Sequence, residues 1–257
     1  MRKKDFSTRV DGKHPGADEI LSFLSSSLEN VPREELKDLK DSIFWVQYSD
    51  GDLVAQEGSL SSSIYIIYNG LVKIGKYSKS QQKKRVLRFL GPHEWFGLEV
   101  LFMPDQHTNI QFARAVLDSE LISIEASKFK EFLDNHPEAL NDLCKWFARE
   151  VAMLEFKLTR ETADGSLQNF AILLLGLEEK YGKKVKGGSK IDLKLPKNTL
   201  ADLMGVSAET LRRLMKRLKE AGAISTQDHK ITIQDQDKLH ELAGVQDFYL
   251  TILGETL

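Results

Sequence analysis

Residues 197–223 read KNTLADLMGVSAETLRRLMKRLKEAGA, and this stretch predicts two short helices separated by a tight turn. The first helix ends at Gly205, a residue whose backbone tolerates a positive φ. Ser207 then offers an N-cap hydroxyl to the second helix. The apolar positions of the second helix recur at spacings of three and four residues, at Leu211, Leu214, Met215 and Leu218. Two helices joined in this way predict a helix-turn-helix.

The opposite face of the second helix is charged and carries Glu209, Arg212, Arg213, Lys216 and Lys219. After the helix, 223–226 and 230–233 read as two short strands, which adds a wing. Between Lys197 and Lys230, seven Lys and Arg stand against four acidic residues, a local charge of +3. The stretch therefore predicts a winged helix-turn-helix that binds double-stranded DNA. The alternative is an ordinary amphipathic helix pair with a solvated charged face, which has no need of a wing.

Length and composition limit the class of protein. With 257 residues the chain can form one large core or two domains, and a net charge of -2 excludes a generally basic nucleic-acid coat. Because no run of about 18 apolar residues occurs and no apolar signal-peptide core follows the N-terminus, we expect a cytoplasmic protein without a membrane partner. Cys144 is the single cysteine, which excludes an internal disulfide and argues against a cysteine-ligated iron–sulfur cluster or structural zinc site.

The middle of the chain has the pattern of an all-β fold. From 43 to 124, short β-branched and aromatic runs alternate with turns, and glycines lie at or near the ends of the runs. This pattern predicts a β-sandwich or β-roll domain over 41–137. An N-terminal extension, 1–40, precedes it, and in this extension 20–24 and the segment after Pro32 predict short amphipathic helices.

A long helix is predicted to follow Pro137 and to occupy 138–162. One apolar stripe of this helix recurs every three and four residues, at Cys144, Phe147, Val151, Leu154 and Leu158. Such a heptad seam favours a two-stranded dimer. Trp146 lies in a second apolar stripe, which we expect to pack on the β domain. The helix is roughly 35 Å long at ~1.5 Å per residue, which is enough for a dimer interface.

Residues 163–166 interrupt the helical pattern and predict a hinge before a C-terminal domain of 163–257. Within this domain, 182–190 reads as a polar loop and 191–196 as a short strand that leads into the helix-turn-helix. The predicted fold class is α+β. It consists of an N-terminal β-roll of the jelly-roll type, a long dimerisation helix and a C-terminal winged helix-turn-helix.

This order of elements resembles the CRP/FNR family of bacterial transcription regulators over 38–242. The residues that carry the resemblance are IYIIYNG (64–70), Phe96 with Gly97 and Arg114 with Ala115 in the roll, and SAETLRRL (207–214) in the second helix of the motif. The resemblance implies a roll of the cyclic-nucleotide-binding type. It also implies a homodimer, an inverted-repeat operator in double-stranded DNA, and RNA polymerase as a partner.

The same resemblance assigns roles to side chains of the helix-turn-helix. Glu209 and Arg213 match family residues that contact base edges in the major groove, and Arg212 is a further base-reading candidate. Because arginine can pair with guanine O6 and N7 and glutamate can accept from cytosine N4, these side chains are suited to reading G·C pairs. The candidates for phosphate contacts and orientation are Thr199, Ser207, Thr210, Lys216 and Lys219.

The sensor residues depart from the family's cyclic-AMP pattern, in which Phe-Gly-Glu is followed by a loop that ends in Arg-Ser. Leu98 stands at the Glu position with Glu99 displaced by one, Thr108 and Asn109 stand near the Arg-Ser position, and the adenine-binding hydroxyl residues correspond to Leu154 and Glu155. These departures argue against cyclic AMP, and the effector stays unknown. The effector-pocket candidates are Gly97, Leu98, Glu99, Thr108, Asn109, Arg114, Leu154 and Glu155.

The leading hypothesis is a homodimeric, sequence-specific DNA-binding regulator, not an enzyme, whose roll senses an unidentified effector. One alternative is a constitutive DNA-binding protein with a degenerate sensor. Another is a cupin-like metal enzyme, but its chemistry needs a His-x-His pair, which does not occur among the six histidines. The sequence therefore predicts no metal site. Haem binding stays open through His93 or His107.

Overall fold

The structure is a computed structural model, and the chain forms two compact units, Met1–Trp146 and Phe147–Leu257. None of the helices it describes has the length and apolar character that a membrane span requires. The described residues are 4–5, 15–77, 84–103, 108–158, 165–193 and 195–244, with 4, 5, 84, 85, 153 and 156–158 described at the backbone alone.

The first unit contains the β-roll that the sequence predicts. Its strands are β1 (Lys4–Asp5), β2 (Ile43–Tyr48), β3 (Leu53–Ala55), β4 (Ser63–Asn69), β5 (Val72–Tyr77), β6 (Lys84–Leu90), β7 (Trp95–Phe96), β8 (Phe112–Ala115) and β9 (Ser119–Glu125). Its helices are α1 (Ala17–Ser27), a 3₁₀ helix (Glu35–Ser42), α2 (Glu99–Phe102), α3 (Ala126–Asn135) and α4 (Pro137–Leu158), which continues beyond the end of the unit.

Two antiparallel sheets enclose the interior of the roll, with strand orders β1-β2-β9-β4-β7 and β3-β8-β5-β6. Side chains alternate between the two faces of each strand. On β2, Val46 and Tyr48 belong to the interior core, whereas Ile43 and Trp45 belong to a second core that the helices share. Both faces of β2 are therefore covered, which explains why its sequence is apolar almost throughout.

The N-terminal extension is part of this second core. Ile20 and Leu24 of α1 and Leu36 of the 3₁₀ helix are at most 1% exposed and pack in one cluster with Phe129 of α3. On α4, Ala139 and Leu143 belong to the same cluster, and Trp146 packs against it. This is the stripe of the long helix that we expected to pack on the β domain.

The second unit contains the winged helix-turn-helix. Its elements are α5 (Gly165–Tyr181), β10 (Gly182–Val185), β11 (Gly188–Ile191), α6 (Lys197–Met204), α7 (Ala208–Glu220), β12 (Ile224–Gln227), β13 (Lys230–Ile233) and α8 (Gln236–Ala243). Its four strands form one sheet in the order β10-β11-β13-β12. The helix-turn-helix is thus α6 and α7, and the wing is β12 and β13.

The predicted loop at 182–190 and strand at 191–196 were wrong. The first segment forms the hairpin β10–β11, and in the second segment strand structure is confined to Ile191 among the described residues. Strand β11 exists because it pairs with β13 of the wing. The backbones approach so closely that a Cβ at Gly188 would lie 1.9 Å from the carbonyl oxygen of Ile233. Local polarity does not reveal a pairing between segments so distant in sequence.

Candidate functional site

Hydrogen bonds at the turn separate α6 from α7. Gly205 has φ of 62°, and the N–H of Val206 donates to the carbonyl of Ala201 at 3.1 Å. The hydroxyl of Ser207 accepts from the N–H of Thr210, also at 3.1 Å, which confirms the predicted N-cap of α7. The chain therefore leaves one helix and enters the next within three residues.

Helix α7 has one buried and one charged face. The buried side chains are Leu211, Leu214, Met215 and Leu218, none more than 7% exposed. The exposed charged side chains are Glu209, Arg212, Arg213, Lys216, Arg217, Lys219 and Glu220. Gly222 ends the helix with φ of 73°, and the N–H of Ala223 returns to the carbonyl of Leu218 at 3.0 Å. The helix is thus held by its apolar face while its charged face stays accessible.

The wing is a tight hairpin beside this helix. Asp228 and His229 form its turn with φ of 49° and 60°, as the two central residues of a type I′ turn require. The ammonium of Lys219 donates to the hydroxyl of Thr226, which joins α7 to β12. The N–H of Leu195 donates to the carbonyl of His229 at 3.3 Å. The wing therefore has a defined position relative to α7.

An ion-pair cluster supports the wing from the side of β10–β11. Asp192 accepts from Lys183 of β10 at 2.6 Å and from Lys230 of β13. These two hydrogen bonds, with the attraction of both lysine charges, lower the pKa of Asp192 to about 2. One carboxylate therefore links the first strand of the sheet to the wing.

Three of the five predicted phosphate candidates lie at the beginnings of helices. Thr199 is in the first turn of α6, while Ser207 and Thr210 meet at the start of α7 with their hydroxyls 3.0 Å apart. Backbone N–H groups and the helix dipole favour an anion at such a place. Lys216 lies further along α7, 3.5 Å from Glu220. This exposed pair is weak and leaves the lysine available to another anion.

The effector candidates near the roll differ in their surroundings. Gly97 has φ of 80°, and a Cβ there would lie 3.2 Å from the carbonyl oxygen of Ser63. Leu98 is 2% exposed and packs in the core that the helices share. Glu99 begins α2, and with Glu94 it partly offsets the burial that lowers the pKa of Arg88.

The other roll candidates make structural hydrogen bonds. Thr108 forms a β-bridge with Leu60, and the side-chain amide of Asn109 donates to the hydroxyl of Ser59 at 3.0 Å. Arg114 lies between Ala113 and Ala115, which face the interior of the roll, so Arg114 points to the outer face. Its guanidinium donates to the carbonyl of Gly51. The structure does not bring Arg114 to the interior of the roll.

Leu154 and Glu155 are exposed on α4 and lie in the second unit. Leu154 belongs to the predicted seam, in which Phe147, Val151 and Leu154 are 36%, 53% and 43% exposed. Cys144 is also exposed, and the side chain of Leu158 lies outside the described residues. The structure adds Leu140, 37% exposed and four residues before Cys144, which sequence reasoning missed although the spacing continues.

Of the two histidines considered for haem binding, the structure describes His93 alone. His93 lies in an exposed turn with φ of 68°, its ring stacks on Phe23, and its Nδ1 is 2.8 Å from the hydroxyl of Ser27. His107 lies outside the described residues. In the structure His93 therefore has a packing role at the surface of the roll.

Two family models match the chain. The cyclic nucleotide-binding domain matches residues 45–136, which contain the roll from within β2 onward. The Crp-like helix-turn-helix domain matches residues 168–242, which contain most of α5, the helix-turn-helix and the wing.

Relatives and solved structures match over most of the chain. A CRP-like cAMP-activated global transcriptional regulator of Mycobacterium tuberculosis is 24% identical over 222 residues, covering 86% of this chain and 97% of the relative. The anaerobic regulatory protein of Bacillus subtilis is 25% identical over 185 residues, or 72% of this chain and 77% of the relative. The first relative is a transcriptional regulator and the second a regulatory protein, which favours a regulator over an enzyme.

Among solved structures, FixK2 from Bradyrhizobium japonicum superimposes with a TM-score of 0.67 at 18% identity, covering 79% of this chain and 98% of that chain. A CRP-family transcriptional regulator from Thermus thermophilus has a TM-score of 0.62 at 19% identity, with coverages of 78% and 97%. At these identities the structural likeness establishes the fold alone.

Proposed function

This chain belongs to the CRP/FNR family of transcription regulators, and we propose that it binds inverted-repeat operators in double-stranded DNA as a homodimer. The observation that carries the proposal is the exposed charged face of α7 beside a wing of defined position. An α-helix fits the major groove, which is about 12 Å wide in B-DNA. We place α7 there, with the wing against the neighbouring backbone.

In this arrangement the side chains divide by role. Glu209, Arg212 and Arg213 lie near the start of α7, the part of a recognition helix that meets base edges. The hydroxyls of Thr199, Ser207 and Thr210, together with Lys216 and Lys219, contact phosphates and set the orientation of the helix. Base contacts would then specify the sequence, and phosphate contacts would supply affinity that depends on salt.

The exposed apolar stripe of α4 supports the homodimer. Leu140, Phe147, Val151 and Leu154 are large apolar side chains that stay 36% exposed or more, on a helix that is buried only near its beginning, through Ala139 and Leu143. Such a stripe marks a surface for another protein chain, and its heptad spacing fits a second copy of the same helix. A two-fold axis through this seam relates two α7 helices, so the two half-sites are inverted and about 10–11 base pairs apart.

For the roll, we propose an effector other than cyclic AMP. The family's phosphate-binding arginine has no counterpart at Thr108 or Asn109, and Arg114 points away from the interior. The buried Leu98 offers no acceptor to a ribose hydroxyl. A constitutive regulator with a degenerate sensor is the second candidate, favoured by the structural hydrogen bonds that occupy Asn109 and Arg114. RNA polymerase is the further partner that family membership supports.

Selection of binding sites from random double-stranded DNA tests the DNA proposal. Purified full-length protein should enrich an inverted repeat, and light scattering of the complex should give two chains per site. An asymmetric site bound by one chain would contradict both the seam and the two-fold arrangement.

A further inference from the structure

Three side chains that commonly bind metals meet at the corner between α3 and α4. Glu35 lies in the 3₁₀ helix, His136 follows the last turn of α3, and Glu138 lies in the first turn of α4. Nδ1 of His136 is 3.0 Å from Oε2 of Glu35 and 3.2 Å from Oε1 of Glu138. One donor atom from each of the three lies within 4.8 Å of the other two.

We propose that this corner binds a divalent first-row transition cation through His136, Glu35 and Glu138. One imidazole nitrogen with two carboxylate oxygens is a donor set that zinc and its neighbours accept. With bonds of about 2.0–2.2 Å, the donor atoms of a tetrahedral site are roughly 3.4 Å apart. The observed 3.0 and 3.2 Å separations therefore require only a small outward movement to admit the ion.

The hydrogen bonding of the corner is incomplete without a cation. Nδ1 of an imidazole carries at most one proton, and in the structure its hydrogen-bond partner is Glu138. Oε2 of Glu35 is buried and accepts no hydrogen bond from the described residues. A second proton on the ring would lie at Nε2, so a single N–H at Nδ1 would still face two carboxylates, at 3.0 and 3.2 Å. A cation bound to all three donor atoms satisfies the nitrogen and both carboxylates together.

The surroundings hold the donors in place and leave room for water. The His136 ring stacks on Phe132 with centroids 4.1 Å apart, which fixes its orientation. The side chains of His136, Glu138 and Glu35 are 17%, 35% and 41% exposed. Solvent can therefore supply the remaining ligand of a site with three protein ligands. Nearby, Asn30 and Asp142 already join the N-terminal segment to α4.

The proposed cation would join the N-terminal segment to the beginning of the long helix. It lies outside the roll interior, so it is separate from the effector site and from the cupin-like site considered above. The proposal does not depend on the DNA operator or on the dimer.

Calorimetric titration of the full-length protein, stripped of metal with a chelator, tests the site with Zn²⁺ and Co²⁺, and with Mg²⁺ as a hard-cation comparison. We expect one Zn²⁺ per chain with micromolar or tighter affinity and no comparable Mg²⁺ binding. Bound Co²⁺ should show the visible absorption of a low-coordinate nitrogen and oxygen site without a thiolate band. Failure of both Zn²⁺ and Co²⁺ to bind would overturn the proposal.

Variants then locate the ion. Glu35→Gln and Glu138→Gln keep side-chain size. Loss of a residue that only hydrogen-bonds to a metal ligand weakens metal binding about 10–100-fold, and each of these variants should weaken Zn²⁺ binding by more than that. His136→Gln should abolish it, whereas His240→Gln on α8 serves as the matched control and should bind as the unmodified chain does. Unchanged binding in the two glutamine variants at 35 and 138 would place the ion elsewhere and overturn the proposal, even if the histidine variant fails to fold.

Discussion

Side chains on the exposed face of α7 belong to two classes that a binding experiment can separate. Arg213 is one turn after Glu209 on the same face, so the two are neighbours at the part of the helix that we propose for base contacts. Lys216 lies further along and pairs weakly with Glu220. Charge alone does not distinguish these roles, but position along the helix does.

Arg213→Ala should weaken operator binding by about 1–3 kcal/mol and relax the preference at one G·C pair, because a bidentate contact to guanine is lost. Lys216→Ala is the matched control, and it should weaken all sequences alike and reduce the salt dependence of binding. Competition binding with single base-pair variants of the selected operator measures both effects. An Arg213→Ala protein with unaltered base preference would contradict the assigned role.

Asp142 illustrates how hydrogen bonds outweigh burial at a single carboxylate. Its side chain is 6% exposed, and it accepts from the backbone N–H of Asn30 at 2.8 Å and from Lys145 at 3.2 Å. Burial raises the pKa of Asp142, but the hydrogen bonds from Asn30 and Lys145 lower it by more than burial raises it. The pKa is therefore below its ordinary value. The ionised form therefore stabilises the folded state above the unfolded pKa of about 4.

Asp142→Asn should lower the free energy of unfolding at pH 7 by about 1–3 kcal/mol, because charge-assisted hydrogen bonds are lost. The unmodified protein should lose this contribution as the pH falls below about 4 and the carboxylate is protonated, so the variant should show a flatter pH dependence there. Asp134→Asn is the control, because Asp134 forms an exposed i,i+4 ion pair with Lys130. We expect this pair to contribute less than about 0.5 kcal/mol to the free energy of unfolding. Urea unfolding followed by tryptophan fluorescence measures both, and equal costs for the two variants would refute the argument.

Among the secondary-structure elements, α4 carries both a buried and an exposed apolar stripe. One stripe is buried against the roll core through Ala139 and Leu143, and the stripe of Leu140, Phe147, Val151 and Leu154 stays exposed. A helix with one apolar face inside its own fold and a second outside it is suited to joining two copies of the chain.

Leu154→Glu should convert the dimer to monomers and abolish operator binding, because two carboxylates would be buried together in one seam. Leu154→Met is the matched control and should leave the dimer intact, since it keeps a similar apolar volume. Sedimentation equilibrium and a gel shift measure the two consequences. A dimer of unchanged mass with glutamate at 154 would remove this stripe from the interface.

The hairpin β10–β11 and the wing form one sheet through the pairing of β11 with β13, and Asp192 adds an ion pair to a lysine of each hairpin. A carbon-detected NMR titration should place the pKa of Asp192 at about 2, and Lys183→Met should raise it. Because this pKa is depressed, the carboxylate stabilises the sheet above pH ~4 and the effect is lost as the pH falls toward 2. Lys190→Met, on the neighbouring strand, should leave the titration near 2. An ordinary aspartate titration in the unmodified protein would refute the cluster.

For the molecule as a whole, regulation by an effector requires a ligand that binds two states of the proposed dimer differently. A molecule that barely binds cannot shift such an equilibrium. The residues at the family's cyclic-AMP positions are an apolar leucine at 98 and two side chains near 108 and 109 without a positive charge. Similarity to a cAMP-activated relative therefore does not identify the effector of this chain. The effector depends on the residues at these positions.

Calorimetry of the full-length protein should detect no micromolar binding of cyclic AMP or cyclic GMP. Loss of the arginine contact alone removes about 1.5–3 kcal/mol, and an unpaired ribose hydroxyl adds ~1–3 kcal/mol, which together reduce affinity by at least about two decades. Asn109→Arg is the informative variant, since it restores a positive charge near the phosphate position and should increase binding if the pocket is otherwise intact. Micromolar cyclic-AMP binding by the unmodified chain, with tighter operator affinity, would refute the proposal.

The helix-turn-helix could be predicted from residues 197–223 because its signals are local. A glycine at the turn, a capping serine and apolar residues at helical spacing act within a few residues of one another, so their consequences do not depend on distant parts of the chain. The same holds for the alternation of apolar runs and turns in the roll and for the stripes of α4.

Features that depend on distant partners appeared only in the folded chain. Strand β11 is polar in sequence and becomes a strand because β13 pairs with it. Arg114 alternates to the outer face of β8, which the type of residue does not reveal. Glu35 meets His136 and Glu138 because the 3₁₀ helix packs beside the corner of α3 and α4. Sequence spacing carries the periodicity of an element, whereas contacts between elements arise from packing that no local pattern encodes.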